Sequence, residues 1–113
     1  MSIIAIEDRI EYWKTCSEYD FKTAQSMLKE KRFLYVGFCC YLAVEKIFTA
    51  YYWKKIKTEP PFTHNLNLLS SLTGLSNIFA DDQKQFIDEL MPLNIKALYP
   101  DDKERISKIL NAN

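Results

Sequence analysis

Four polar side chains stand where chemistry would need them: Asp20, Glu45, Lys46 and His64. Asp20 lies near the centre of an otherwise apolar arc, to which Ile6, Ile10, Trp13, Ala24, Met27 and Leu28 belong at helical spacing, with Ser17 beside it. A carboxylate in such a place either accepts hydrogen bonds at the margin of a core or pairs with a cation in a site; left alone, its burial costs too much. Glu45 and Lys46 are the only charges in residues 33–53. Neighbouring residues point about 100° apart on a helix, so these two share one contact only if both flank a groove. Otherwise Glu45 takes a core hydrogen bond or ion pair, and Lys46 runs its stem over apolar surface to water. His64 is the sole histidine, at the start of a helix, where a structural hydrogen bond is its simplest use. Zinc needs more ligands than one histidine, and the cysteines show no ligand spacing, so no metal site is expected. Lys54, Lys55 and Lys57 either match the dipole at a helix C-terminus or form a phosphate-binding cluster.

The elements that must position these groups all read as helices. Residues 33–53, FLYVGFCCYLAVEKIFTAYYW, are apolar on nearly every side, the mark of a helix buried among others or in lipid. Lipid fits poorly. The uninterrupted apolar part, residues 33–44, falls short of the roughly 20 residues a span needs. A charge at bilayer depth also costs roughly 2.5–3.5 kcal/mol. A first amphipathic helix is expected over residues 4–30, with Lys29, Lys31 and Arg32 at its exit. The link to the central helix is short, so the two should form an antiparallel hairpin. The central helix should end near Lys57, ahead of Pro60 and Pro61. Thr63 reads as the N-cap of a third helix, with Phe62 ahead of it and Leu66, Leu69 and Leu72 on one side, ending at Gly74. Asp81 and Asp82 open a fourth, striped by Phe86, Leu90, Leu93 and Ala97 and kinked by Pro92. Tyr99 should leave helical geometry before Pro100, and Asp101 and Asp102 should start a short last helix carrying Ile106, Ile109 and Leu110. The fold expected is all-α, an up-and-down four-helix bundle with a short fifth C-terminal helix, in a single domain over residues 1–113.

Composition narrows the function. The chain is 48% hydrophobic with two glycines and four prolines, enough apolar material for a core and too few turn residues for many short strands. Its formal net charge is zero, which argues against duplex DNA as a partner. Three cysteines, Cys16, Cys39 and Cys40, make no disulfide framework and suit a reducing cytosol. The N-terminal residues lack the basic region and apolar run of a secretory signal. A cytoplasmic protein without a membrane anchor is expected.

Several segments, in order, resemble the HEPN domain family, and most closely its members that act beside minimal nucleotidyltransferases. Trp13 leads a helix in which Tyr19, Asp20 and Ala24 follow; Ala43, Val44, Glu45 and Lys46 are similar to the family's A-x-E-K segment. Thr63, His64, Asn65 and Leu66 are similar to its T-H-x-L helix start, and Leu98, Tyr99, Pro100 and Asp101 to its R-Y-P-D segment. The resemblance implies a helical subunit that forms a homodimer, partners a minimal nucleotidyltransferase in a toxin–antitoxin-like pair, and helps to hold a nucleotide. It makes Asp20, Glu45, Lys46 and His64 the candidate nucleotide- or partner-binding residues, with no cofactor. Two departures matter, one of motif and one of length. Leu98 stands where the family has arginine, and none of Arg9, Arg32 and Arg105 precedes His64 by the four to six residues that HEPN ribonucleases use. Metal-free RNA cleavage needs a proton-transfer group and a cation on the phosphate, so no catalytic residues are expected. The alternatives are a ribonuclease toxin and a helical scaffold with no ligand. Relatives also continue into a longer last helix, which would leave apolar surface open here and favours a twofold dimer.

Overall fold

The structure is a computed structural model, and it describes residues 1–94. Over these residues the chain is all-α, with four helices and no strand. Helix α1 (Ile3–Lys29) starts at Ser2, whose side-chain oxygen accepts from the Ala5 N–H at 3.2 Å. Its inner face is Ile6, Ile10, Trp13, Ser17, Asp20, Ala24 and Met27, all buried or half-buried. Steps of four and three residues alternate along that row, the spacing of a seam between two long helices. Leu28, expected in the same arc, falls off the seam and is 54% exposed.

The exit from α1 is tight. Lys31 takes the left-handed conformation (φ 58°), and the Arg32 N–H returns to the Met27 carbonyl at 2.8 Å. This closes the last turn in the manner usually given to glycine. Helix α2 (Phe33–Ile56) therefore runs back along α1. The Ser17 hydroxyl donates to the Ala43 carbonyl at 2.6 Å, and Arg9, nearer the start, lies over Trp53, nearer the end. The hairpin is antiparallel as expected, and Lys57, also left-handed (φ 66°), ends α2.

Helix α3 (Leu66–Thr73) is capped by Asn65, whose side-chain oxygen accepts from the N–H groups of Asn67 and Leu68. The cap expected at Thr63 has thus moved two residues. Thr63 Oγ1 instead accepts from the Asn65 N–H and shapes the turn before the helix. Phe62, 98% exposed, staples nothing. Gly74 (φ 82°) ends α3 in the left-handed region that an L side chain resists. A 3-10 turn (Leu75–Asn77) then leads to α4 (Asp81–Leu90), where the Gln83 side chain accepts from the Ala80 N–H at 2.9 Å. Pro92 terminates α4 rather than kinking it. Without an N–H it cannot continue the ladder, and Met91–Leu93 tighten into a 3-10 turn. Ile87 rather than Phe86 joins Leu90 on the inner face, and Phe86 points outward. The expectations for Ala97, Tyr99, Pro100 and the short last helix lie outside the described residues.

One cluster holds the far side of α2. Tyr41 and Phe48 from α2 meet Leu66 and Leu69 from α3 and Ile87 and Leu90 from α4. Helix α2 thus lies between α1 on one flank and α3 with α4 on another. It is covered along those flanks and not all round, since Tyr35 and Ile47 are exposed. By length and composition alone α2 could cross a membrane. The two charges inside its apolar run, Glu45 and Lys46, each meet a group on a neighbouring element, as in a core helix.

Candidate functional site

The four polar residues singled out in the sequence form two pairs, not one constellation. Asp20 lies inside the α1 seam, and Lys46 reaches it from α2, with Nζ 2.6 Å from Oδ2. Their side chains are 14% and 26% exposed. The approach lacks the angle of a hydrogen bond, so the attraction is chiefly of charge to charge. Lys46 therefore does not simply snorkel to water. It neutralises the carboxylate that the seam would otherwise leave stranded.

Glu45, one residue earlier, serves a different neighbour. Its Oε2 accepts from the Tyr41 hydroxyl at 2.6 Å and lies 3.0 Å from Nδ1 of His64. The Tyr41 hydroxyl is also within hydrogen-bonding reach of the His64 carbonyl, and the Asn94 side chain meets the same phenol. A carboxylate can only accept, so the proton shared with His64 sits on Nδ1. The chain folds this way locally because Tyr41 and Glu45 are one helical turn apart and share a face. They catch the backbone and ring of His64 just before the Asn65 cap starts α3.

Tyr41 is 1% exposed. Burial, and then the adjoining Glu45 carboxylate, push its phenol well above the ordinary value of 10.0. The pH consequence has a definite sign. The folded state keeps the Tyr41 proton at pH values where the unfolded chain has lost it. Its stabilising share is whole below pH 10 and falls away as the pH rises toward the folded value. We expect the unfolding midpoint in denaturant to drop more steeply above pH 10 in the parent chain than in Tyr41→Phe. Parallel slopes would show that this phenol is not responsible.

The Glu45–His64 tie stands on the rim of a cleft of ≈ 230 Å³. Arg9 and Trp13 of α1, Glu45, Thr49 and Trp53 of α2, and residues 59–64 line it. The Arg9 guanidinium rests over the Trp53 ring, 5.9 Å from its centroid, a cation–π contact. Phe62 meets the His64 ring edge-on at 5.8 Å between centroids. The expected site therefore gathers Glu45 and His64 at the cleft, while Asp20 and Lys46 bind each other. Tyr41, Arg9, Trp13 and Trp53 were missed. For Tyr41 a signal existed, its spacing of four from Glu45; Arg9 and Trp53 meet only because the hairpin brings distant turns together.

A second, shallower groove of ≈ 500 Å³ runs along the outside of α1 and α2, and Phe21, Ala43, Val44 and Ile47 supply its apolar lining. Among the described residues no three acidic, histidine or cysteine side chains converge as metal ligands would. The three cysteines are free, and burial pushes the Cys39 and Cys40 thiols up, away from the reactive thiolate.

A family model described as HEPN domain matches residues 10–112 of the chain. No curated protein and no solved structure matches it significantly.

Proposed function

The chain belongs to the HEPN domain family, and from that premise we propose that it is a non-catalytic, nucleotide-binding interaction subunit. The observation that carries this reading is the state of His64. Its Nδ1 is engaged by Glu45 and its carbonyl by Tyr41, so the only histidine serves as a tie between α2 and the start of α3. No arginine precedes it at the spacing that the family's ribonucleases use. A general acid–base group needs a partner cation on the phosphate to cleave RNA without metal, and the local sequence supplies none. The cleft beside the tie offers a binding place instead.

The finer parts of the proposal follow from the resemblance of the sequence segments. The subunit pairs with a minimal nucleotidyltransferase in a toxin–antitoxin-like couple, acts in the cytoplasm as an up-and-down bundle, and forms a homodimer. The groove over Phe21, Val44 and Ile47 supports the dimer, being apolar surface that a second copy would cover. Calorimetry with ATP, GTP and CTP and with their monophosphates tests the binding role: heat above dilution is expected from at least one, and none from any of them would favour a scaffold without ligand. In parallel, labelled RNA should stay intact with the purified chain. Cleavage that His64→Ala abolishes would make the protein a ribonuclease after all.

A further inference from the structure

The hydrogen-bonding inventory of the cleft selects among nucleotides. Glu45 engages Tyr41 and His64 through Oε2 alone, and among the described residues its Oε1 has no protein partner. His64 lines the same cleft with its Nδ1 engaged by Glu45. Glu59 adds a carboxylate to the lining. Among the described residues that line the cleft, one permanent cation stands against these acceptors: Arg9, which makes no ion pair with any described residue and is held by the Trp53 ring instead. Trp13 and Phe62 supply flat apolar surface, and the volume suits a single nucleoside unit rather than an extended chain.

We propose that this cleft binds a nucleoside monophosphate whose base carries an exocyclic amino group. The amino group donates to Glu45 Oε1, the base lies against aromatic surface, and the phosphate meets Arg9. Adenine, guanine and cytosine all present such a donor. Uracil presents a single ring N–H between two carbonyl oxygens, and both oxygens would face carboxylates. The phosphate count follows from charge. Arg9 matches one phosphate group, whereas a triphosphate brings further negative charge beside Glu45 and Glu59, and among the described residues that line the cleft no second cation meets it. The inference rests on the nucleotide-binding reading given above and adds base class, phosphate number and place.

The test is titration calorimetry on the full chain with AMP, GMP, CMP and UMP and the matching triphosphates. At least one amino-bearing monophosphate should bind about tenfold or more tighter than UMP, the size of one good base contact. Its triphosphate should bind no tighter. Arg9→Ala, at an exposed position, should leave the circular dichroism unchanged and weaken the monophosphate about tenfold, as loss of a charge-assisted contact does. UMP binding equally well, triphosphates binding tenfold tighter, or Arg9→Ala binding like the parent would each overturn this assignment while leaving nucleotide binding intact. No heat from any of the eight compounds would overturn the nucleotide-binding reading itself.

Discussion

Lys46→Met should lower the free energy of unfolding by about 2–3 kcal/mol, and adding Asp20→Leu should restore most of the loss. Removing one partner of a buried ion pair costs about 3–5 kcal/mol when the other charge is left without water or a counterion. Here the pair is only partly enclosed, which draws the figure down. Asp20 lies between Ser17 and Ala24 on the α1 seam, both of them buried, so it has little freedom to turn outward. Replacing both charges by apolar side chains of similar length removes the stranded carboxylate and adds apolar contact, and such exchanges are often neutral or stabilising. Denaturant unfolding of the two single variants and the double variant measures the coupling. A double variant as unstable as Lys46→Met alone would mean that the loss comes from packing of the lysine stem and not from Asp20.

The second large effect is expected at Leu66. It is 0% exposed and packs in the cluster that joins α2, α3 and α4. Leu66→Ala removes three carbon atoms from a site closed on every side and should cost about 2–5 kcal/mol. A domain of this size has about 5–15 kcal/mol in total, so this variant loses a large share of its stability. Leu72, on the same short helix, is 47% exposed, and Leu72→Ala should change stability by no more than about 0.5 kcal/mol. The contrast is the test: equal losses would mean that α3 is held by its helical propensity and not by its inner face. Because Leu66 follows the Asn65 cap, Leu66→Ala should also loosen the Glu45–His64 tie. The shift would be visible in the His64 ring resonances before global unfolding.

The helices and the hairpin could be read from spacing because long amphipathic patterns average over many side chains. The α1 seam illustrates this: one misplaced member, Leu28, does not disturb it. Short elements gave less. Thr63 and Asn65 are both good caps, and only the fold decides which N–H groups each meets. Pro92 was placed correctly as a disruption, but whether a proline bends or ends a helix depends on what the following residues pack against. The candidate site shows the same division. Glu45 and Lys46 stood out as charges in an apolar run, yet their partners come from different stretches of chain. Asp20 is 26 positions from Lys46, and His64 is 19 from Glu45, separations that no local pattern encodes. Arg9 carried no signal at all, since an exposed arginine on a polar helix face is ordinary until a distant tryptophan is folded beneath it.

Two adjacent charges on α2 grip two different layers, roughly 100° apart in azimuth. A cylinder held at one bearing can still roll; one held at two cannot. The apolar surface of α2 is spread over most of its circumference, so this charged doublet adds two fixed bearings to the angle that the packing of Tyr41 and Phe48 already favours.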